Sequence, residues 1–125
     1  MIKLVVAVAR KAGLSAEDFQ SHWLGRHAPL VAARAPMLGI RRYVQSHLIE
    51  HPANEAFRGI RAMLPPLDGI TEIWLNALAD LKRGVETEEG RAAAATLAED
   101  ERRFVQLDRS RCFLMREHPI FDAAG

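Results

Sequence analysis

The sequence predicts an α+β domain on the split β-α-β plan, with one four-stranded antiparallel sheet and helices packed on one of its faces. Three observations carry this. Four short apolar or alternating runs, near residues 2–10, 40–50, 70–75 and 111–118, read as strands. Helical patterns fill the gap between the first and second runs and the gap between the third and fourth. The chain of 125 residues, 49% hydrophobic and 26% charged with a net charge of +1, matches a single domain spanning 1–125.

Residues 2–10 are apolar without alternation, as expected of a strand covered on both faces. Ser15, followed by Asp18 three residues later, marks the N-terminus of a helix whose apolar positions Phe19, Trp23 and Leu30 fall near one stripe. Pro29 removes a backbone donor and frees the carbonyl of Gly25, so a kink is expected between residues 25 and 29, and Pro36 with Gly39 should end the helical stretch. In residues 40–50, Ile40, Val44 and Leu48 separate by parity from Arg41, Tyr43, Gln45 and His47. Residues 51–69 hold Pro65-Pro66 and an Asp68-Gly69 turn, with a short helix expected after Asn54.

Residues 70–75 give the third strand, after which Asn76 is expected to cap a helix carrying Leu78 and Leu81 inward, with Gly84 as its stop. Thr87 should cap a longer alanine-rich helix running through Phe104, with Glu88 and Glu89 at its positive end. The last strand is expected over residues 111–118, where the single cysteine, Cys112, reads as a buried strand residue. The order is β-α-β-β-α-α-β, the split β-α-β plan with its final crossover helix broken in two.

The near-zero net charge and the mixing of signs, as in Glu101-Arg102-Arg103, read as solvated faces and argue against a nucleic-acid partner. The N-terminal apolar stretch is too brief to span a bilayer, so no membrane partner and a cytoplasmic location are expected. A sheet with helices on one face leaves the other to water or to a partner, and Val5, Ala7, Trp74 and the run Cys112 to Met115 put apolar side chains on both faces. A homodimer is therefore expected, with a monomer bearing a modest apolar patch as the alternative.

Among groups capable of chemistry, His27 lies one helical turn after Trp23, near the expected kink, and its imidazole can exchange a proton near neutral pH. The alternative is a core histidine bonded to backbone. Tyr43, Gln45 and His47 form a row on one strand face at intervals of about 7 Å, suited either to a cleft that stabilises a carbonyl or enolate oxygen or to an exposed edge. Glu72 and Trp74 share a face of the third strand, where the acid either works on a ligand or pairs structurally, Arg41 being the expected partner. His22, five positions before His27, is expected to point elsewhere on the helix, and no histidine pair has zinc-site spacing. Phosphate loops, nucleophile elbows and Cys-x-x-Cys motifs are absent, so neither cofactor nor metal is expected.

The segment Phe19-Gln20-Ser21-His22-Trp23-Leu24-Gly25-Arg26-His27-Ala28-Pro29-Leu30, after a Gly13-Leu14-Ser15 helix start, resembles the EthD signature F-x-x-x-W-x-x-x-H-A-P-L. Arg42-Tyr43-Val44-Gln45 with His47, the run from Asp68 to Trp74, and Glu89-Gly90-Arg91 are similar to the same family in the same order. Departures are His22, where an aromatic often precedes the tryptophan, and the long segment 51–67, which leaves the shape of the pocket mouth open. The resemblance implies a ferredoxin-like fold, a dimeric α+β barrel, and a small-molecule cavity between each sheet and its helices, with His27, Tyr43 and His47 at lining positions. Relatives include ether-degradation accessory proteins, methylmuconolactone methylisomerase and fungal dehydratases, with cofactor-free monooxygenases and polyketide cyclases in the wider superfamily.

The function expected from the polar row and the likeness is a cofactor-independent enzyme acting on an enolisable carbonyl, lactone or aromatic, polyketide-like metabolite. In it, His27 or His47 moves the proton in an isomerase-, dehydratase- or cyclase-like step, and Tyr43 with Gln45 steadies the oxyanion. Trp23, Arg41, Glu72 and Trp74 complete the expected substrate contacts. Two alternatives stand: a cofactor-free monooxygenase acting on a phenol or quinol, and an accessory protein that binds a metabolite without transforming it.

Overall fold

The structure, a computed structural model, describes residues 1–123. Strand β1 (Ile2–Val8) is followed by α1 (Ala16–His22), a π-helical turn (Trp23–His27) and α2 (Ala28–Leu38). Strand β2 (Ile40–His47), helix α3 (Pro52–Ile60) and strand β3 (Gly69–Leu75) come next. A 3-10 turn (Leu78–Lys82), α4 (Arg83–Glu86), α5 (Glu88–Phe104), a second 3-10 turn (Leu107–Arg109) and β4 (Arg111–Arg116) complete the chain.

The sheet order is β2-β3-β1-β4 with every pairing antiparallel, the arrangement of a ferredoxin-like fold. The apolar run of β1 takes a central place, with β3 and β4 paired on its two edges and the helices over one face. Leu4, Val6 and Val8 face the helices, and Lys3, Val5 and Ala7 face away. The core gathers Val8, Phe19, Trp23, Phe104 and Val105 where α1 and α5 cross the sheet.

Ser15 caps α1 as its sequence implies, its hydroxyl accepting the Asp18 N–H at 3.0 Å. The irregularity expected near Pro29 is a π turn, in which the Ala28 N–H reaches back five residues to the Trp23 carbonyl. Helix α2 runs through Pro36 and stops at Gly39, whose φ of 70° is the left-handed cap glycine tolerates. A bulge between Ile40 and Arg42 makes Arg41 the extra residue of β2 and returns Ile40 to the helix side with Tyr43. Ile40 therefore does not share a face with Val44.

Helix α3 is capped by His51, whose Nδ1 accepts the Ala53 N–H at 3.0 Å, rather than by Asn54, whose amide donates to the Ile49 carbonyl. The turn after β3 is likewise capped differently: Asp80 accepts the Ala77 N–H at 3.1 Å, and Asn76 stays outside. Leu81 reaches the sheet side, while Leu78 points to solvent, and Gly84 lies inside α4 instead of ending it. Thr87 caps α5 by accepting the Gly90 N–H at 2.9 Å. Strand β4 ends at Arg116, and all six of its residues are exposed at the sheet edge, Cys112 included, although Cys112 borders the space between sheet and helices.

The face of the sheet turned from the helices carries Val44, Glu72, Val5 and Phe113 in one row across the four strands, and Arg42, Trp74, Lys3 and Met115 in the next. Trp74 is buried within the single chain, under the Arg42 guanidinium 4.5 Å from its ring centre and with its indole N–H donated to Glu117 at 2.7 Å. Phe113 and Met115 remain about two-fifths exposed on this face. No helix among the described residues is long and apolar enough to cross a membrane.

Candidate functional site

Between the sheet and the helices lies a cavity of about 440 Å³, walled mainly by aliphatic and aromatic side chains. The sheet contributes Leu4, Val6, Tyr43 and Ile73 to its floor, and the π turn and α5 contribute Trp23, His27, Glu101 and Phe104 to its roof. The π turn sets the position of His27. With Pro29 unable to donate to the Gly25 carbonyl, the helix widens by one residue, and His27 turns toward α5 as well as toward the sheet.

The partner on α5 is Asp100, 1% exposed. His27, 6% exposed, donates its Nδ1–H to Asp100 Oδ2 at 2.8 Å. His22 places Nε2 3.0 and 3.1 Å from the two carboxylate oxygens, and Arg103 adds a contact at 3.3 Å. Burial alone would raise the Asp100 pKa, but hydrogen bonds from His27, His22 and Arg103 hold it below the ordinary carboxylate value. Burial lowers His27 more than the neighbouring carboxylate raises it, so the imidazole is neutral at neutral pH. A carboxylate fixed on Nδ1 selects the tautomer whose Nε2 is unprotonated, and Nε2 has no hydrogen-bond partner among the described residues. The pair can accept a proton at the cavity wall.

Residues 11–108 match the EthD domain. The chain belongs to the EthD family. Its fold is similar to an EthD family protein from Bacillus halodurans C-125, with TM-score 0.62 and 18% identity over 94% of this chain and 99% of that one. It is also similar to HapK from Hahella chejuensis, with TM-score 0.58 and 14% identity over the whole of both chains. A third likeness is to a dimeric protein of unknown function with a ferredoxin-like fold from Bacteroides fragilis NCTC 9343, with TM-score 0.56 and 16% identity over 93% and 95%. At these identities the likeness is one of fold. No curated protein matches the chain.

Within this EthD domain the structure brings His27, Tyr43 and Trp23 together on the cavity wall. Gln45 and His47 share Tyr43's face of β2 but stand behind Trp23, outside the lining. His47 stacks on the Trp23 indole, ring centres 4.4 Å apart, and its Nε2 lies 2.7 Å from Gln45 Oε1. Gln45 in turn donates to the Tyr43 oxygen at 2.7 Å and to the Trp23 carbonyl at 2.9 Å. Both amide hydrogens are thereby used, and the Tyr43 oxygen accepts while its own proton stays free of Gln45. Burial raises the Tyr43 pKa and lowers that of His47.

Glu72, Trp74 and Arg41 are not part of this wall. Glu72 and Trp74 occupy the opposite sheet face, because strand parity pairs them with Val5 and Lys3. Glu72 pairs with Lys3 at 2.6 Å, not with Arg41, which the bulge carries out of register. Two expectations about other residues also change. His22 does not point away from His27, since five positions make one π turn, and both rings converge on Asp100. Glu101 is not simply part of a solvated face but lines the EthD cavity. Asp100 had a signal in the sequence: it replaces an apolar residue in the buried stripe Ala93, Leu97, Asp100, Phe104 of α5.

Proposed function

We propose that the cavity binds a small organic molecule bearing an enolisable carbonyl, lactone or related oxygen function, and that the chain moves a proton on it without a cofactor. The observation that carries this reading is the buried Asp100 accepting Nδ1–H of the cavity-lining His27 at 2.8 Å, which leaves its neutral Nε2 without a partner among the described residues. In this reading His27 Nε2 takes the proton next to the carbonyl, and Tyr43 Oη–H donates to the oxygen as negative charge develops there. Gln45 is a positioning residue that fixes the phenol, and His47 holds Gln45 and the Trp23 ring. Trp23 supplies a flat wall for the ligand.

The test uses exchange of hydrogen for deuterium beside the carbonyl of a simple ketone such as 2-tetralone in heavy water, followed by proton NMR. The expected result is faster exchange with the native chain and a loss of about a hundredfold or more in the acceleration with His27→Ala. Equal acceleration by both proteins overturns the assignment. Ketone binding with no acceleration by the native chain supports instead the accessory-protein reading.

The open sheet face supports a second element of the proposal, a homodimer in which two sheets face each other. Phe113 and Met115 are exposed there in the isolated chain, and the similar Bacteroides fragilis protein is described as dimeric.

A further inference from the structure

Resting on the reading of the cavity as the ligand site, we infer that Glu101 is its specificity-determining group: a carboxyl with no counter-charge beside it that, while protonated, donates a hydrogen bond to a ligand oxygen and confines the site to uncharged, largely apolar molecules. Glu101 follows Asp100 on the last turn of α5, yet the two acids have opposite surroundings. Asp100 is ringed by His27, His22 and Arg103, whereas the Glu101 carboxyl has neither hydrogen-bond nor ion-pair partner among the described residues. It lines the same cavity as Tyr43 and His27.

The charge balance of the lining points one way. No lysine or arginine lines the cavity among the described residues. Asp80, the other lining acid, is paired with Arg83 at 3.1 Å. The negative end of the α5 dipole lies at the same place, so an anion entering the cavity would lose its water without gaining a counter-charge. Burial and then the Asp100 charge raise the Glu101 pKa, with the exposed Arg102 working weakly against them. Across the cavity its charge also disfavours ionisation of Tyr43 on β2 and Cys112 on β4. His27, neutral beside Asp100, brings no positive charge to offset this. While it is protonated, the carboxyl together with Tyr43 offers two O–H donors to a carbonyl or hydroxyl oxygen, and the aliphatic walls accept the rest of the molecule.

Isothermal titration with 2-naphthamide and 2-naphthoate, nearly the same in shape but different in charge, tests this on the native chain. At pH about 7 the amide is expected to bind about a hundredfold or more tightly than the carboxylate. As pH rises, amide affinity should fall while Glu101 ionises, and Glu101→Gln should bind the amide without that pH dependence. Glu101→Lys should bind the carboxylate in preference. Equal affinity of the native chain for both probes, binding of neither, or an unchanged pH dependence in Glu101→Gln overturns the inference. The outcome is separable from the catalytic reading, because His27→Ala should abolish exchange while leaving the preference for the amide in place.

Discussion

Replacing Asp100 by asparagine isolates the charge on which the histidine pair depends. The side chain keeps its shape, but one oxygen that accepts from His27 or His22 becomes an NH2 group facing a donor. Asp100 is 1% exposed and accepts contacts at 2.8, 3.0 and 3.3 Å from His27, His22 and Arg103, so water cannot enter to repair the mismatch. Losing charge-assisted bonds and leaving one buried donor unpaired costs about 3–4 kcal/mol. For a chain of this length that corresponds to a fall in Tm of about 10–15 °C. The functional effect should exceed the loss of stability. An asparagine oxygen cannot hold the Nδ1–H tautomer as firmly, and deuterium exchange measured below the new Tm should drop about a thousandfold. Thermal unfolding gives the first number, and nitrogen-15 chemical shifts of the His27 ring give the tautomer directly. An unfolding free energy within about 0.5 kcal/mol of native, with the ring tautomer unchanged, refutes the role given to Asp100.

Three further outcomes follow from the same geometry. Gly69→Ala should destabilise by about 2–3 kcal/mol in urea unfolding, because a Cβ there would collide with the Trp23 ring and the Ser46 carbonyl. Stability should fall on acidification: His27 and His47 have folded pKa values below 6.5, so the stability from keeping them neutral is fully present above 6.5 and is lost as pH falls through 6.5 toward the folded values. Urea midpoints across that window should show the fall, and His27→Gln with His47→Gln should flatten it. Phe113→Glu, on the sheet face turned from the cavity, should convert a dimer to a monomer in sedimentation while leaving naphthamide binding unchanged; a monomeric native chain defeats the dimer proposal.

The fold could be read from local signals because each strand and helix announces itself within a few residues. Ser15 and Thr87 make the caps their side chains imply, and the alternation of Tyr43, Gln45 and His47 places all three on the helix side of β2. Sequence reasoning failed where a single inserted residue changes the phase. The bulge at Arg41 moved Ile40 to the other face, and the π turn brought His22 and His27 to one carboxylate that regular helical spacing would not let them share. Partners distant in sequence were also hidden. Lys3 meets Glu72, and Asp100 meets two histidines more than seventy positions earlier, contacts that no local pattern encodes. The acids of α5 were legible only in retrospect, through the interruption of an apolar stripe.

The five-residue turn at Trp23–His27 makes the site sensitive to length rather than to composition. Removing one residue there, Leu24 for instance, would restore regular helical pitch and so gain local order. Everything downstream would keep its facing, because four residues make one α turn where five make one π turn. Val31 would stay in its buried seat, and the two imidazoles would remain on one side of the helix. Removing a second residue would turn the downstream helix by about a quarter of a revolution and part the imidazole from the carboxylate, so that is the change to look for when a relative retains the shape but has abandoned the chemistry.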